Sequence, residues 1–248
     1  MGNPGERGGT LTWPKGRRGG ILKRKMPFVS ASSVLITAAE ELRFLLGRGY
    51  PREKSLEMVG NRHTLVFRER ELLRRAVLGP DSAARRRDRL AVLKDLKGER
   101  VGIDGHNVLI TLESALSGKD LVRGDDGVIR DIARASSSYR PSDLTRRALG
   151  LILQALIEYR GKEAVFFLDS PLSRSGELAG QIREEMAKAG VSGTARAVPV
   201  PEKELKPFKG LTASSDGELI DDCARPLDLA GEIITKRIKE VRVIEFIS

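Results

Sequence analysis

The feature that most constrains the fold is the regular alternation of apolar runs with helix-like stretches after Glu99. Val101–Asp104, Glu163–Asp169, Thr194–Val200 and Leu211–Ser214 have the length and composition of buried strands. The stretches between them have helical periodicity or caps, and they cover residues 106–117, 142–159, 173–189 and 215–223. Such alternation predicts a parallel sheet with helices on both faces. The predicted fold class is therefore α/β.

Acidic residues stand where three of these predicted strands end. Asp104 ends the first strand, Asp169 ends the most apolar one, and Asp216 follows the strand at Leu211, with Asp221 about a turn later. Ligands of open α/β sheets bind just beyond the carboxyl ends of the strands. Carboxylates gathered there repel one another unless a cation lies between them, and a hard divalent cation such as Mg²⁺ suits oxygen ligands. The pattern predicts a divalent metal site.

Each of these positions also has a purely structural interpretation. Asp104 or Asn107 could cap the following helix, Asp169 could be a turn residue before Pro171, and Asp216 could lie in a helix N-terminus. No phosphate-binding loop, dinucleotide-binding glycine motif or Gly-x-Ser-x-Gly elbow occurs in the sequence. The repeated placement of the aspartates favours function over three unrelated caps.

The charge of the chain favours a polyanionic partner. Lys and Arg number 44 against 34 Asp and Glu, a formal net charge of +10. This excess predicts a nucleic acid, and Arg140 and Arg174 are candidates to contact its backbone. The single cysteine, Cys223, rules out an intrachain disulfide, and no apolar run is long enough to span a bilayer. We expect a cytoplasmic protein without a membrane partner, and the oligomeric state stays open, a homo-oligomer included.

The N-terminal part divides into a basic tail and a helical block. Residues 1–28 are rich in Gly, Lys and Arg and are expected to be disordered, or else to precede a true start at Met26. Residues 29–97 carry leucines and alanines at helical spacing, broken at Gly47–Pro51, Asn61–His63 and Gly79–Asp81. Four short helices follow, the last predicted over 81–97. They are expected to pack as a small bundle or as an appendage of the α/β domain at 98–248.

Three short motifs give the chain a resemblance to a known family. They are Ile103-Asp-Gly-His-Asn-Val108, Phe167-Leu-Asp169 and Ser214-Ser-Asp-Gly-Glu-Leu-Ile-Asp221. With these motifs, residues 99–248 resemble the PIN-like (PIN/NYN) nuclease superfamily. The arrangement of a helical block before such a domain is similar to an uncharacterised, largely archaeal family. The resemblance implies a PIN-like sheet in which Asp104, Asp169, Asp216 and one of Asp221 or Asp222 hold one or two Mg²⁺ or Mn²⁺ ions.

The resemblance further implies a metal-dependent endoribonuclease. Asn107 and Ser215 would lie in the substrate pocket beside the metal ligands. The acid that the superfamily usually supplies from a middle helix has no single match here, and several residues compete for the role: Asp125, Asp126, Asp143, Glu158 and Asp222. Two alternatives stay open. One is a non-catalytic RNA-binding or regulatory protein with the same fold, and the other is a Mg²⁺-dependent phosphoesterase acting on small molecules.

Overall fold

The predicted class of fold is confirmed. The computed structural model describes residues 28–132 and 139–246 of the 248-residue chain, so the predicted basic tail lies, except for Phe28, outside the described residues. A five-stranded parallel sheet is flanked by helices and preceded by a helical region. Within the described ranges, no helix is both long and apolar enough to cross a bilayer.

The helical block contains one strand, four α-helices and a short 3-10 helix at Leu93–Leu96. The strand and the α-helices come first. They are β1 (Phe28–Ser30), α1 (Ser33–Gly47), α2 (Arg52–Arg62), α3 (Phe67–Ala76) and α4 (Pro80–Arg89). The Ser32 hydroxyl caps α1 by accepting from the backbone N–H of Leu35. The helix predicted over 81–97 is wrong in its second half. It ends at Arg89, because the backbone N–H of Ala91 donates instead to the carbonyl of Pro226.

The remaining elements include the predicted alternating strands and helices, together with several short elements that were not predicted. They are β2 (Arg100–Asp104), α5 (Gly105–Leu116), β3 (Leu121–Arg123), β4 (Ile129–Asp131), α6 (Asp143–Glu158), β5 (Glu163–Asp169), α7 (Ser175–Ala189), β6 (Gly193–Val198), α8 (Pro201–Leu205), β7 (Leu211–Ala213), α9 (Gly217–Asp222), β8 (Pro226–Leu227), α10 (Leu229–Arg237) and β9 (Val243–Glu245). The larger sheet has the order β6-β5-β2-β7-β8, and all its pairings are parallel. Strands β2, β5 and β6 lie side by side in chain order, and the chain then crosses back and places β7 on the other side of β2. This return creates a switch point between β2 and β7.

Both faces of the larger sheet are covered, which explains the apolar sequence of β5. Phe166 and Leu168 point into the main core, which also contains α5, α6 and α10. Val165 and Phe167 point the other way, into a smaller core with Leu205 of α8 and Leu219 of α9. Successive strand residues alternate between faces, so a strand buried on both sides reads as a continuous apolar run.

A second, smaller sheet joins the two ends of the chain. Its order is β1-β9-β3-β4, with β3 and β4 forming an antiparallel hairpin. Val122 of β3 and Phe246 after β9 are buried in the same core as the leucines of α1, α2 and α3. The helical block therefore does not close its own core. It packs as an appendage on this sheet.

A buried ion network fastens the helical block to the hairpin. Asp126, in the hairpin turn, is fully buried. Arg130 donates to both of its oxygens, at 2.8 and 2.7 Å, and Arg86 of α4 donates to one of them at 3.1 Å. Burial raises the pKa of the Asp126 carboxyl, but the hydrogen bonds and positive charge of the two arginines outweigh it and hold the pKa below its usual range.

Removing the charge of Asp126 is expected to destabilise the fold strongly. Asp126→Asn leaves two buried guanidinium groups without their shared carboxylate, a loss of about 3–5 kcal/mol in the free energy of unfolding. Asp143→Asn is the control, since Asp143 is 92% exposed and pairs only with Arg146, a contact worth at most about 1 kcal/mol. Urea denaturation near neutral pH measures both. Equal losses in the two variants would contradict the structural role of the network.

Candidate functional site

The three predicted strand-end acids meet at one edge of the larger sheet. Asp104 and Asp169 are the last residues of β2 and β5, which are paired neighbours. Asp216 follows β7, the other neighbour of β2. All of these strands are parallel, so their carboxyl ends lie at the same edge, and Asp104 and Asp216 flank the switch point. The placement predicted for these three residues is the placement observed.

Asp104 is the buried member of the group. Its side chain is 7% exposed, and one carboxylate oxygen accepts from the Ser214 hydroxyl at 2.8 Å. Burial raises the pKa of Asp104 to about 7; the Ser214 hydrogen bond opposes this shift, and repulsion from Asp169, Glu202 and Asp216 adds to it. A carboxylate in this setting is stabilised either by a proton or by a cation.

Asp169 is more open and lies against a histidine. Nδ1 of His106 lies 3.0 Å from the backbone N–H of Asp169 and 3.1 Å from Oδ2 of its carboxylate. His106 is 2% exposed, and its ring stands edge-on to Tyr139. Helix α5 begins close to β5, since a Cβ on Gly105 would lie 3.0 Å from the Phe167 carbonyl oxygen. The Asp169 side chain is 35% exposed, and its other carboxylate oxygen makes no hydrogen bond within the described residues, so it keeps acceptor capacity at the edge of the sheet.

Asn107 and Ser215 tie the loop after β7 to helix α5. The side-chain oxygen of Asn107 accepts from both the backbone N–H and the hydroxyl of Ser215, at 2.8 and 2.9 Å. This arrangement uses the amide oxygen and leaves the amide N–H groups as donors toward a cleft of about 390 Å³ that Asn107, Ser215 and Asp216 help to line. Both residues line this cleft, and their part in substrate binding stays a prediction.

Asp216 has the capping role that the sequence analysis left open. One of its carboxylate oxygens accepts from the backbone N–H of Leu219 at 3.0 Å, and its own N–H donates to the Ser214 hydroxyl at 3.0 Å. The cap uses a single oxygen. The second oxygen makes no hydrogen bond within the described residues, so capping and ligand binding are compatible at this position.

Glu202 is an acidic neighbour that sequence reasoning missed. It lies in α8, a short helix that was not predicted, and α8 packs against β2 and β5. Its charge is one of the three that raise the pKa of Asp104. A signal was present in Pro201-Glu-Lys-Glu-Leu205, because proline at the first helical position followed by glutamate is typical of a helix start.

Other predicted acids are engaged elsewhere. Arg86 donates to both oxygens of Asp221, at 2.8 and 2.6 Å, so this predicted metal ligand lies in an ion pair away from Asp104. The competing acids are also paired: Asp125 with Arg43, Asp126 with Arg130, Asp143 with Arg146, Glu158 with Arg237 and Asp222 with Lys206. None of them is among the charges that act on Asp104.

The two predicted phosphate contacts are at the surface. Arg174 has a left-handed backbone conformation before α7, and its guanidinium pairs with Glu177 at 2.6 Å. Arg140 is exposed and lies two residues before the Ser142 cap of α6. Neither arginine has a described contact with the carboxylates.

The donor set fits a hard divalent cation, although it is not assembled as a closed cage. Asp104, Asp169, Asp216 and Glu202 offer only oxygen ligands, the kind preferred by Mg²⁺ and Mn²⁺. Among the described residues, no three acidic, histidine or cysteine side chains are close enough together to hold one ion. Mg²⁺ commonly keeps several waters and uses one or two carboxylates, so this open arrangement fits that ion better than one that needs a full protein cage.

The Asp104 carboxyl is expected to make stability depend on pH. Its folded pKa of about 7 lies above an unfolded value of about 3.9, so its contribution is complete below pH ~4 and lost as the pH rises through ~7. The full loss is about 4 kcal/mol. Urea denaturation in EDTA should show wild type losing stability relative to Asp104→Asn over this range. The exposed control Glu204→Gln should follow wild type, and a pH-independent difference for Asp104→Asn would contradict the raised pKa.

Comparisons with known proteins identify relatives of both parts of the chain. Residues 34–89 match the family model "Protein of unknown function (DUF434)", and residues 93–232 match "Domain of unknown function (DUF5616)". "Uncharacterized protein MJ0935" of Methanocaldococcus jannaschii is 34% identical over 199 residues, covering 79% of this chain and 95% of that protein. No solved structure matches the chain significantly. Because the second model covers more than half of the sequence and the archaeal relative aligns over most of both chains, the chain belongs to the DUF5616 family.

Proposed function

We propose that the protein is a metal-dependent endoribonuclease that uses Mg²⁺ or Mn²⁺ to cleave RNA phosphodiester bonds in the cytoplasm. The observation that carries the proposal is the group of four carboxylates at the switch point of the parallel sheet. Burial raises the pKa of Asp104 to about 7, and repulsion from the other three carboxylates adds to the shift. Holding like charges together is costly, and a bound cation offsets the cost.

Asp104 and Asp216 are the proposed principal ligands because they flank the switch point. Asp169 and Glu202 add their negative charges to those of Asp104 and Asp216. The Ser214 hydroxyl, which donates to Asp104 and accepts from the Asp216 N–H, orients both ligands. When bound, the metal lowers the pKa of a coordinated water and stabilises charge on the attacked phosphate.

The remaining polar groups suit an oligonucleotide phosphate. The Asn107 amide N–H groups are positioned to donate to a phosphate oxygen from the floor of the adjoining cleft. The net charge of +10 favours a polyanion over a small phosphoester, because long-range attraction increases with the charge of the ligand. The choice of RNA rests on the resemblance of the three motifs to PIN-like nucleases.

Cleavage of RNA should require both the metal and Asp104. Purified protein is incubated with a pool of structured and unstructured RNA in Mg²⁺, Mn²⁺ or EDTA. Asp104→Asn keeps the size of the side chain and an oxygen for Ser214, so it should remain folded while cleavage falls by about a hundredfold or more. Metal-independent cleavage, or full activity of the variant, would contradict the carboxylate assignment.

Glu202 is expected to contribute to RNA cleavage, whereas Glu204 on the same helix is not. Glu202→Gln removes one of the charges acting on Asp104, and we expect cleavage to fall about 10–100-fold, the range typical of groups that support metal ligands. Glu204→Gln on the same helix changes an exposed residue with the same loss of charge and should retain wild-type activity. Equal effects from both variants would indicate a general charge effect instead of a site.

Two outcomes would replace the proposal. If wild type and Asp104→Asn bind RNA equally and neither cleaves it with any metal, the protein is a binding or regulatory protein. If RNA is left intact while small phosphoesters are hydrolysed in a metal-dependent way, the protein is a phosphoesterase.

A further inference from the structure

A cluster of arginines lines the cleft beside the carboxylates. The cleft lies where α2, α3 and α4 of the helical block meet the loop after β7, and it has a volume of about 390 Å³. Five guanidinium groups reach it from four different elements: Arg52, Arg74, Arg75, Arg86 and Arg130. Three carboxylates also line it: Glu53, Asp216 and Glu218. The lining therefore has a formal excess of two positive charges.

Three of the arginines serve structural purposes. Arg86 is shared between Asp126 and Asp221, and Arg130 is held by Asp126 and the carbonyl of Ser215. Arg74 pairs with Glu53 and with the buried Glu71. These contacts fix the guanidinium groups in place, so the walls of the cleft are preorganised.

Arg52 differs from them. Its guanidinium donates to the backbone carbonyl of Arg74, and no described carboxylate comes within ion-pair distance of it. Burial lowers the pKa of Arg52, and the positive charges of Arg86, Arg130 and Arg74 lower it further, while the charge of Glu53 opposes them as the last of the causes. A half-buried cation surrounded by other cations is stabilised by an anion in the same cleft.

Asn107 supplies a second donor to the lining of the cleft. Its amide N–H groups make no hydrogen bond within the described residues, while its amide oxygen is fixed by Ser215. The planar fork of a guanidinium together with an amide donor matches the tetrahedral oxygens of a phosphate group. Asp216, one of the proposed metal ligands, lines the same cleft.

We propose that this cleft binds a phosphate group of the nucleic-acid strand, with Arg52 of the helical block and Asn107 of the α/β domain as its direct ligands. The inference rests on the proposed function for the identity of the ligand as a nucleic acid. It assigns the helical block a part in substrate binding, because Arg52 belongs to α2. An internal phosphodiester and a terminal phosphate share the required chemistry.

The test is RNA binding measured without cleavage. In EDTA, a fluorescent RNA oligonucleotide is titrated with wild type, Arg52→Gln and Arg52→Lys. Arg52→Gln should bind about tenfold to a hundredfold more weakly, the loss expected for hydrogen bonds to a charged group. Arg52→Lys keeps the charge without the fork and should be intermediate. Arg62→Gln is the matched control. It removes one charge from the other end of α2, where Arg62 is exposed and pairs with Glu41, and it should bind within about twofold of wild type.

RNA oligonucleotides with different 5′ ends distinguish a terminal phosphate from an internal phosphodiester as the ligand of the cleft. A loss in Arg52→Gln that appears only with 5′-phosphorylated RNA assigns the cleft to a terminal phosphate, and an equal loss with 5′-hydroxyl RNA assigns it to an internal one. Inorganic phosphate should displace RNA from wild type better than chloride at matched ionic strength. That measurement does not depend on the folding of a variant.

Unchanged affinity in a folded Arg52→Gln protein, or equal displacement by phosphate and chloride, overturns the phosphate site. The two proposals fail separately. Metal-dependent cleavage by wild type with no effect of Arg52→Gln on binding removes only the phosphate site. Binding that depends on Arg52 without cleavage by any metal removes only the nuclease.

Discussion

The buried ion network around Asp126 is the interaction on which the rest of the structure depends. Asp126 is fully buried in the β3–β4 hairpin and is shared by Arg130 and by Arg86 of the helical block. Arg130 continues the network to the site, since its Nε donates to the Ser215 carbonyl at 2.8 Å. A buried charge is tolerated only when it is paired and hydrogen-bonded, so losing one member affects all. The position of the helical block and that of the site loop are therefore coupled.

This coupling allows unfavourable charges to be held at the sheet edge. The loop after β7 is fixed at the Ser215 N–H by Asn107, at its carbonyl by Arg130, and at Ser214 by Asp104. A loop held at three points cannot swing away to relieve repulsion among the carboxylates. Asp104 is buried beside this loop, and burial, with added repulsion from the neighbouring carboxylates, raises its pKa to about 7. Fixed groups that suit a ligand better than they suit one another are typical of binding sites.

The structural elements that were predicted correctly are those encoded by a clear pattern of residues close together in the sequence. Residues Glu163–Asp169 form a strand with the predicted bounds, and Ser142 caps α6, because burial on two faces and a side-chain cap leave clear local signals. The strands β3 and β4 have three residues each, too few to show alternation of apolar and polar residues. The pairing partners of β9 lie more than 100 positions away along the chain, so no local pattern identifies them. The ion pair of Asp221 with Arg86 is likewise a contact between distant parts of the chain, so helical spacing could place Asp221 near Asp216 without revealing its partner.

The arginine cleft and the carboxylate group are suited to ligands of opposite charge. The carboxylates repel one another and are stabilised by a cation, while Arg52 and its neighbours repel one another and are stabilised by an anion. The two sets do not neutralise each other directly, because Arg86 and Arg130 are committed to Asp126 and Arg74 to Glu53. A phosphate bound together with a divalent cation provides a negative and a positive charge next to each other. Asp216, a proposed metal ligand, and Asn107, a proposed phosphate ligand, both line the arginine cleft. The same ligand would therefore relieve both repulsions, which neither a metal alone nor an anion alone could do.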